Sequence, residues 1–225
     1  VDDILESQLP NNNIIAIDGT SGSGKSTVAR GLGTLLELNV LETGAYYRAA
    51  TLQCLRMGLD PDNAEQALSA VEGMKFSYEG TPRLDGIDIS DDIKSHDVVM
   101  NVSFISAHAQ VRKILTRMMR EWIVDHGGGV IEGRDITSVV TPHAKVRVFI
   151  DAPHEVRAKR RSSDPKDNIN NLSHSEIAEG IALRDSIDST RSVAPLIKAD
   201  GVWEFDSSEF SPQEIIAEIA RAFKA

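Results

Sequence analysis

Hydrophobic positions fall along this chain in two alternating kinds of segment. Ile14, Ile15 and Ile17 form a short β-branched run, and Val130-Ile-Glu132 and Val146 to Asp151 form two more; each reads as a buried strand ending in polar residues. Val40 with Leu41, and Val202-Trp-Glu-Phe205, make two further strands. Between them the spacing becomes that of a helix face. Val28, Leu32, Leu35 and Leu36 predict a helix over Ser26 to Leu38, and Thr43-Gly-Ala-Tyr-Tyr-Arg48 turns into a second that ends near Gly58. Asp60-Pro61 reads as an N-cap and first-turn proline opening a helix to about Val71. Ser90 caps a helical region to about Asp125, as two helices meeting near His108, and Gly127-Gly-Gly129 stops it. Pro153 to Arg161 and His174 to about Asp188 are helical, and Ser211-Pro212-Gln-Glu214 is a capping box that starts the last helix.

This alternation specifies an α/β layered fold with a parallel five-stranded sheet flanked by helices. Two stretches break the pattern. Met74 to Ile89 reads as a small antiparallel insert with no chemical motif of its own, and Ser162 to Ser173 is polar and reads as a mobile loop. Residues 11–225 are expected to form a single domain behind a leader at 1–10, read as flexible, although a short packed arm fits those residues equally.

Composition narrows the partners. The net charge of -10 argues against nucleic acid or a membrane surface over a broad face, so an anionic ligand must be captured by local clusters. One cysteine, Cys54, allows no intrachain disulfide, and a reducing, cytoplasmic setting is expected. No segment reaches the roughly 18 apolar residues of a membrane span. The six histidines show no metal-ligand spacing.

Chemistry enters at Gly19-Thr-Ser-Gly-Ser-Gly-Lys-Ser26, which follows the first strand and opens the first helix. Glycines let the backbone turn its N–H groups around phosphate oxygens, and the helix adds its positive end. Lys25 supplies a point charge for the β- and γ-phosphates, and Ser26 a hydroxyl for Mg²⁺. In an open parallel sheet ligands sit beyond the carboxyl ends of the strands, so Asp18, Thr43, Glu132, Arg134 and Asp135 are expected to face one crevice. Arg48, Arg112, Arg134, Arg157, Arg160, Arg161, Arg184 and Arg191 lie at element ends or beside the polar loop of an acidic protein. Guanidinium forks suit phosphate, and phosphoryl transfer needs such charge around donor and acceptor.

Together with the loop, the blocks Thr43-Gly-Ala-Tyr-Tyr-Arg48, Glu132-Gly-Arg-Asp-Ile-Thr-Ser-Val-Val140 and Arg184-Asp-Ser-Ile-Asp-Ser-Thr-Arg-Ser-Val-Ala-Pro-Leu196 resemble the bacterial cytidylate kinases, P-loop nucleoside monophosphate kinases, from about Ile14 to the C-terminus. The resemblance implies transfer of the γ-phosphoryl of ATP to CMP or dCMP with Mg²⁺, by a P-loop kinase fold; the chain is expected to act as a monomer. It further implies a CORE, an NMP-binding insert at about 73–100 and a LID at about 157–185. Carried over by position, Gly19, Thr20, Ser21, Gly22, Ser23, Gly24, Lys25, Ser26 and Thr27 would hold ATP, with Arg157, Arg160 and Arg161 reaching it from the LID. Thr43, Arg48, Arg134 and Arg191 would hold the acceptor phosphate, and Arg184 with Asp188 the ribose and phosphate. Ser103, Arg112 and Asp135 would read cytosine; a packing serine, a surface ion pair and a loop cap are their respective rivals. Lys25, Arg134, Arg184 and Arg191 would carry catalysis, and Glu132 would meet the metal through water or serve as a structural acceptor. Ile136-Thr-Ser138 departs from the commoner hydrophobic-Gly-Thr, and Ser186, Ile187 and Ser189 replace charged residues of some relatives. Two alternatives remain: a P-loop kinase for UMP or another small acceptor, and a nucleotide-binding switch, which would normally carry the Asn-Lys-x-Asp signature missing here.

Overall fold

The computed structural model describes residues 2–163 and 173–225. In chain order these form α1 (Asp2–Ser7), β1 (Ile14–Gly19), α2 (Lys25–Leu36), β2 (Val40–Glu42), α3 (Gly44–Arg56), α4 (Ala64–Val71), β3 (Phe76–Tyr78), β4 (Pro82–Leu84), β5 (Ile87–Asp88), α5 (His96–Ala107), α6 (Ala109–Asp125), β6 (Gly129–Gly133), β7 (Val146–Asp151), α7 (His154–Ser163), α8 (His174–Thr190), β8 (Trp203–Asp206) and α9 (Pro212–Lys224). The main sheet has the order β2-β6-β1-β7-β8, with every neighbouring pair parallel. β1 sits at its centre and is buried throughout. Side chains alternate across a strand, so Ile14 and Ala16 enter the core under α3, α5 and α6, while Ile15 and Ile17 enter the one under α2 and α9. A strand covered on both faces reads as an uninterrupted apolar run.

The expected insert is a three-stranded antiparallel sheet, β3-β4-β5. It is fastened to the main body by the Trp122 indole N–H, which donates to the Tyr78 carbonyl at 2.6 Å, and by the edge-on contact of Tyr46 with Phe76. Two boundaries differ from the expectation. Helix α4 begins at Ala64 because Asn63, not Asp60, caps it: the Asn63 side chain accepts from the backbone N–H of Glu65 and Gln66. Ser90 is bound to the Asp88 carboxylate, a 3-10 turn over Asp92–Lys94 follows, and α5 begins only at His96. The break between α5 and α6 falls at His108, as expected, where the backbone turns extended. In the N-terminal segment residues 2–7 are helical, α1 packs on α6, and Glu6 pairs with buried Arg120 at 2.8 Å, the arrangement of a packed arm.

Most of the polar loop from Ser162 to Ser173 lies outside the described residues. The helices flanking it, α7 and α8, pack through Ala158, Ile177 and Ile181, a small cluster separate from the two main cores. Among the described residues no helix is long and apolar enough to cross a membrane.

Candidate active site

A cavity of about 730 Å³ opens beyond the carboxyl ends of β1, β2 and β6. Its donor end is the loop between β1 and α2, where Ser21, Gly22, Gly24, Lys25, Ser26 and Thr27 face the space. Gly22 and Gly24 both hold left-handed backbone, at φ 77° and 92°, which a side chain would oppose. The first turn of a helix leaves its N–H groups without intrahelical partners, and at Lys25 and Ser26 that turn lies at the cavity wall. Lys25 is buried and donates from Nζ to the Thr20 carbonyl at 2.7 Å. Burial, reinforced by the neighbouring charge of Arg134, pushes its ammonium down to about 7.

Gly19, Thr20 and Ser23 do not line the cavity. They shape the loop from behind. A Cβ on Gly19 would come within 1.9 Å of the Ile150 carbonyl oxygen, Thr20 donates to the Asp151 carboxylate at 2.5 Å, and Ser23 is fully buried and donates to the Thr20 carbonyl.

The acceptor end gathers side chains from five elements. Thr43 is fixed by donating its hydroxyl to the Glu132 carbonyl at 2.8 Å, and Arg48 follows it on α3. Ser103 comes from α5 and Arg112 from α6; Arg134 and Asp135 follow β6, Arg184 and Asp188 lie on α8, and Arg191 is its C-cap. All of them line the one cavity. Asp135 pairs with Arg112 at 2.5 Å and with Arg191 at 3.7 Å; Asp188 pairs with Arg134 at 3.0 Å and Arg191 at 3.3 Å, with Arg184 at 3.9 Å. Burial and the nearby Arg134 hold the Arg184 guanidinium below its ordinary range. Five like charges around two carboxylates leave a strongly positive wall.

The LID arginines divide. Arg160 and Arg161 line the cavity, the former held by the Ser207 hydroxyl and carbonyl. Arg157 does not. Its guanidinium is buried against the Ala152 and Ser21 carbonyls and the Asp185 carboxylate, so it braces the phosphate loop. Asp185 completes that brace by accepting from the Ser21 N–H at 3.2 Å, a link between α8 and the loop that the sequence reading missed. Tyr47 was also missed as a lining residue, although it stands beside Arg48 in the motif; its ring lies under Arg112 at 5.1 Å, and burial pushes its hydroxyl up to about 12, so it remains a donor. Asp18, expected at the crevice, lies instead fully buried beneath it and binds the turn after Asp135. Burial raises its carboxyl to about 6.

Ser26 Oγ and Glu132 Oε1 stand 3.0 Å apart at the cavity wall. Among the described residues no three His, Cys, Asp or Glu side chains converge as a metal cage. One hydroxyl and one carboxylate fit Mg²⁺, which keeps water and phosphate oxygens in most of its shell.

The cytidylate kinase family model matches residues 15–225. The chain is similar to the cytidylate kinase of Anoxybacillus flavithermus, at 38% identity over 91% of this chain and 93% of that protein. It is likewise similar to those of Corynebacterium glutamicum, at 35% over 94% of each, and Mycobacterium leprae, at 38% over 92% of this chain and 93% of that one. The family model runs from the first strand, which ends in the phosphate loop, to the last helix, and the chain belongs to the cytidylate kinase family.

Proposed function

We propose that the protein transfers the γ-phosphoryl of ATP to CMP and dCMP, acting as a monomer. One observation carries the acceptor assignment. Tyr47 Oη, Arg48 Nε, Arg112 Nε and Arg191 Nη2 are buried without hydrogen-bond partners, and all four residues line the same cavity. Each buried polar group left unsatisfied costs about 1–3 kcal/mol, which a ligand rich in acceptor oxygens relieves. A nucleoside monophosphate offers them at both its phosphate and its base.

Arg112 and Asp135 present a donor beside an acceptor, the complement of cytosine N3 and its amino group; Ser103 adds a second oxygen. Uracil reverses both features. Arg48, Arg134 and Arg191, with Thr43, take the acceptor phosphate, and Asp188 accepts from the ribose while it orients the Arg134 and Arg184 forks. Lys25 and the loop amides hold the ATP phosphates. Ser26 and Glu132 would hold Mg²⁺, which would supply charge neutralisation at the transferring phosphates. The acceptor phosphate oxygen attacks the γ-phosphorus in line, so this chain's residues position and neutralise, with no covalent intermediate. The insert at 73–100 covers the nucleoside, and Arg160 and Arg161 of α7, at the cavity wall, meet the donor phosphates and help exclude water. Arg157 braces the phosphate loop from behind.

ADP release measured with ATP and Mg²⁺ against CMP, dCMP, UMP and AMP tests this reading. Rapid turnover is expected with the two cytidine nucleotides, with kcat/KM for UMP lower by at least about a hundredfold. Equal turnover of UMP would leave a P-loop kinase of different acceptor range.

A further inference from the structure

Asp18 stands one residue before the phosphate loop, is fully buried, and lines no part of the cavity. Its carboxylate accepts three hydrogen bonds from one short segment: the backbone N–H of Ile136 at 2.8 Å, that of Thr137 at 2.8 Å, and the Thr137 hydroxyl at 2.6 Å. The next residue on the strand, Gly19, gives its carbonyl to Arg134 Nη1. Two consecutive residues of β1 therefore grip the acceptor loop on both sides of Asp135, whose carboxylate in turn holds Arg112 and faces Arg191. The far end of the same turn is gripped too, since Arg120 donates to the carbonyls of Val139 and Val140.

Stability alone gives little reason for a carboxylate there. Taking one out of water is unfavourable, and an apolar residue of similar volume commonly serves a fold as well. What the charge supplies is a fixed distance between the strand that ends in the donor loop and the turn that carries the acceptor-reading side chains. We propose that Asp18 is a positioning residue for the acceptor: through Ile136 and Thr137 it sets where Arg134 and Asp135 stand relative to the phosphate loop, without touching either nucleotide. The inference rests on the kinase reading above and deepens it.

Two variants test it. Asp18→Asn keeps the shape but replaces one accepting oxygen with an N–H₂, which then faces the backbone N–H of Ile136 or of Thr137, and Thr137→Val removes only the hydroxyl bond. KM for CMP in Asp18→Asn is expected to rise at least about tenfold, because displacement of positioning groups by an ångström is strongly felt in transfer reactions. The CMP over UMP preference should fall in step, while the calorimetric Kd for ATP stays within about threefold of wild type. Thr137→Val should move the same quantities in the same direction by a smaller factor, and it decides alone if Asp18→Asn does not fold. Unchanged CMP parameters in both variants would overturn the proposal. So would loss of ATP and CMP affinity together with a fall in Tm, the mark of a packing role. A wild-type protein that fails to phosphorylate CMP at all would remove the kinase reading and this inference with it.

Discussion

Lys25→Ala is expected to lower kcat by about a thousandfold or more, since it deletes the phosphate loop's own cation at the donor end of a buried site where charge stabilisation of the transferred phosphoryl dominates. The fold should survive, because the Lys25 ammonium makes its hydrogen bond only to the loop's own Thr20 carbonyl. The same side chain gives the site a pH signature. Its pKa of about 7 in the free protein lies below the ordinary lysine range, so the cation is present below that pH and is lost above it. ATP brings negative charge that favours the protonated form and raises the pKa. At about pH 8 wild-type protein should therefore take up a proton on binding ATP, read as a dependence of the calorimetric heat on buffer ionisation enthalpy. Lys25→Ala should show none. Turnover within tenfold of wild type would remove Lys25 from the donor site.

Asp135→Ala should have the second largest effect, and on selectivity more than on rate. Asp135 is buried, is the closest partner of Arg112, and stands within 3.7 Å of Arg191. Removing it takes away the acceptor that would meet the cytosine amino group, so the ratio of kcat/KM for CMP to that for UMP should fall by about 10². It also leaves the buried Arg112 guanidinium without its carboxylate, and Arg191 with Asp188 alone, a loss of about 3–5 kcal/mol in the absence of ligand, visible as a lowered Tm. Saturating CMP should restore part of that Tm through linkage. An unchanged CMP/UMP ratio would take Asp135 out of base reading.

Much of this was legible in the sequence because the information is local. The phosphate loop, the Thr43 to Arg48 turn and the Glu132 to Asp135 strand end each carry their residues within one motif, and the fold brings all of them to one cavity. The continuous apolar run of β1 announced a strand buried on both faces, and its period of two also held the explanation for Asp18. Asp18 falls on the face of Ile14 and Ala16, the side where Ile136 packs, so its carboxylate points beneath the turn and away from the ligand space. What could not be read is tertiary. Arg157 looks like a free LID cation until α8 delivers Asp185 from 28 residues away and the loop delivers the Ser21 carbonyl. Asp60-Pro61 has good helix-opening chemistry, yet Asn63 lies closer to the apolar stripe of α4 and takes its first N–H groups. Tyr47 carried no signal beyond its place next to Arg48, because a buried hydroxyl without a partner is visible only once the neighbours are known.

The central claim is that one cavity holds two nucleotides end to end, phosphates meeting between Lys25 and the arginines of the acceptor wall. Adenosine and cytidine joined 5′ to 5′ through five phosphates would span both halves, and its binding is the most direct measurement. The account predicts one molecule per chain, bound more tightly than ATP or CMP and displaced by either of them alone. Two molecules per chain, or displacement by ATP with indifference to CMP, would contradict it.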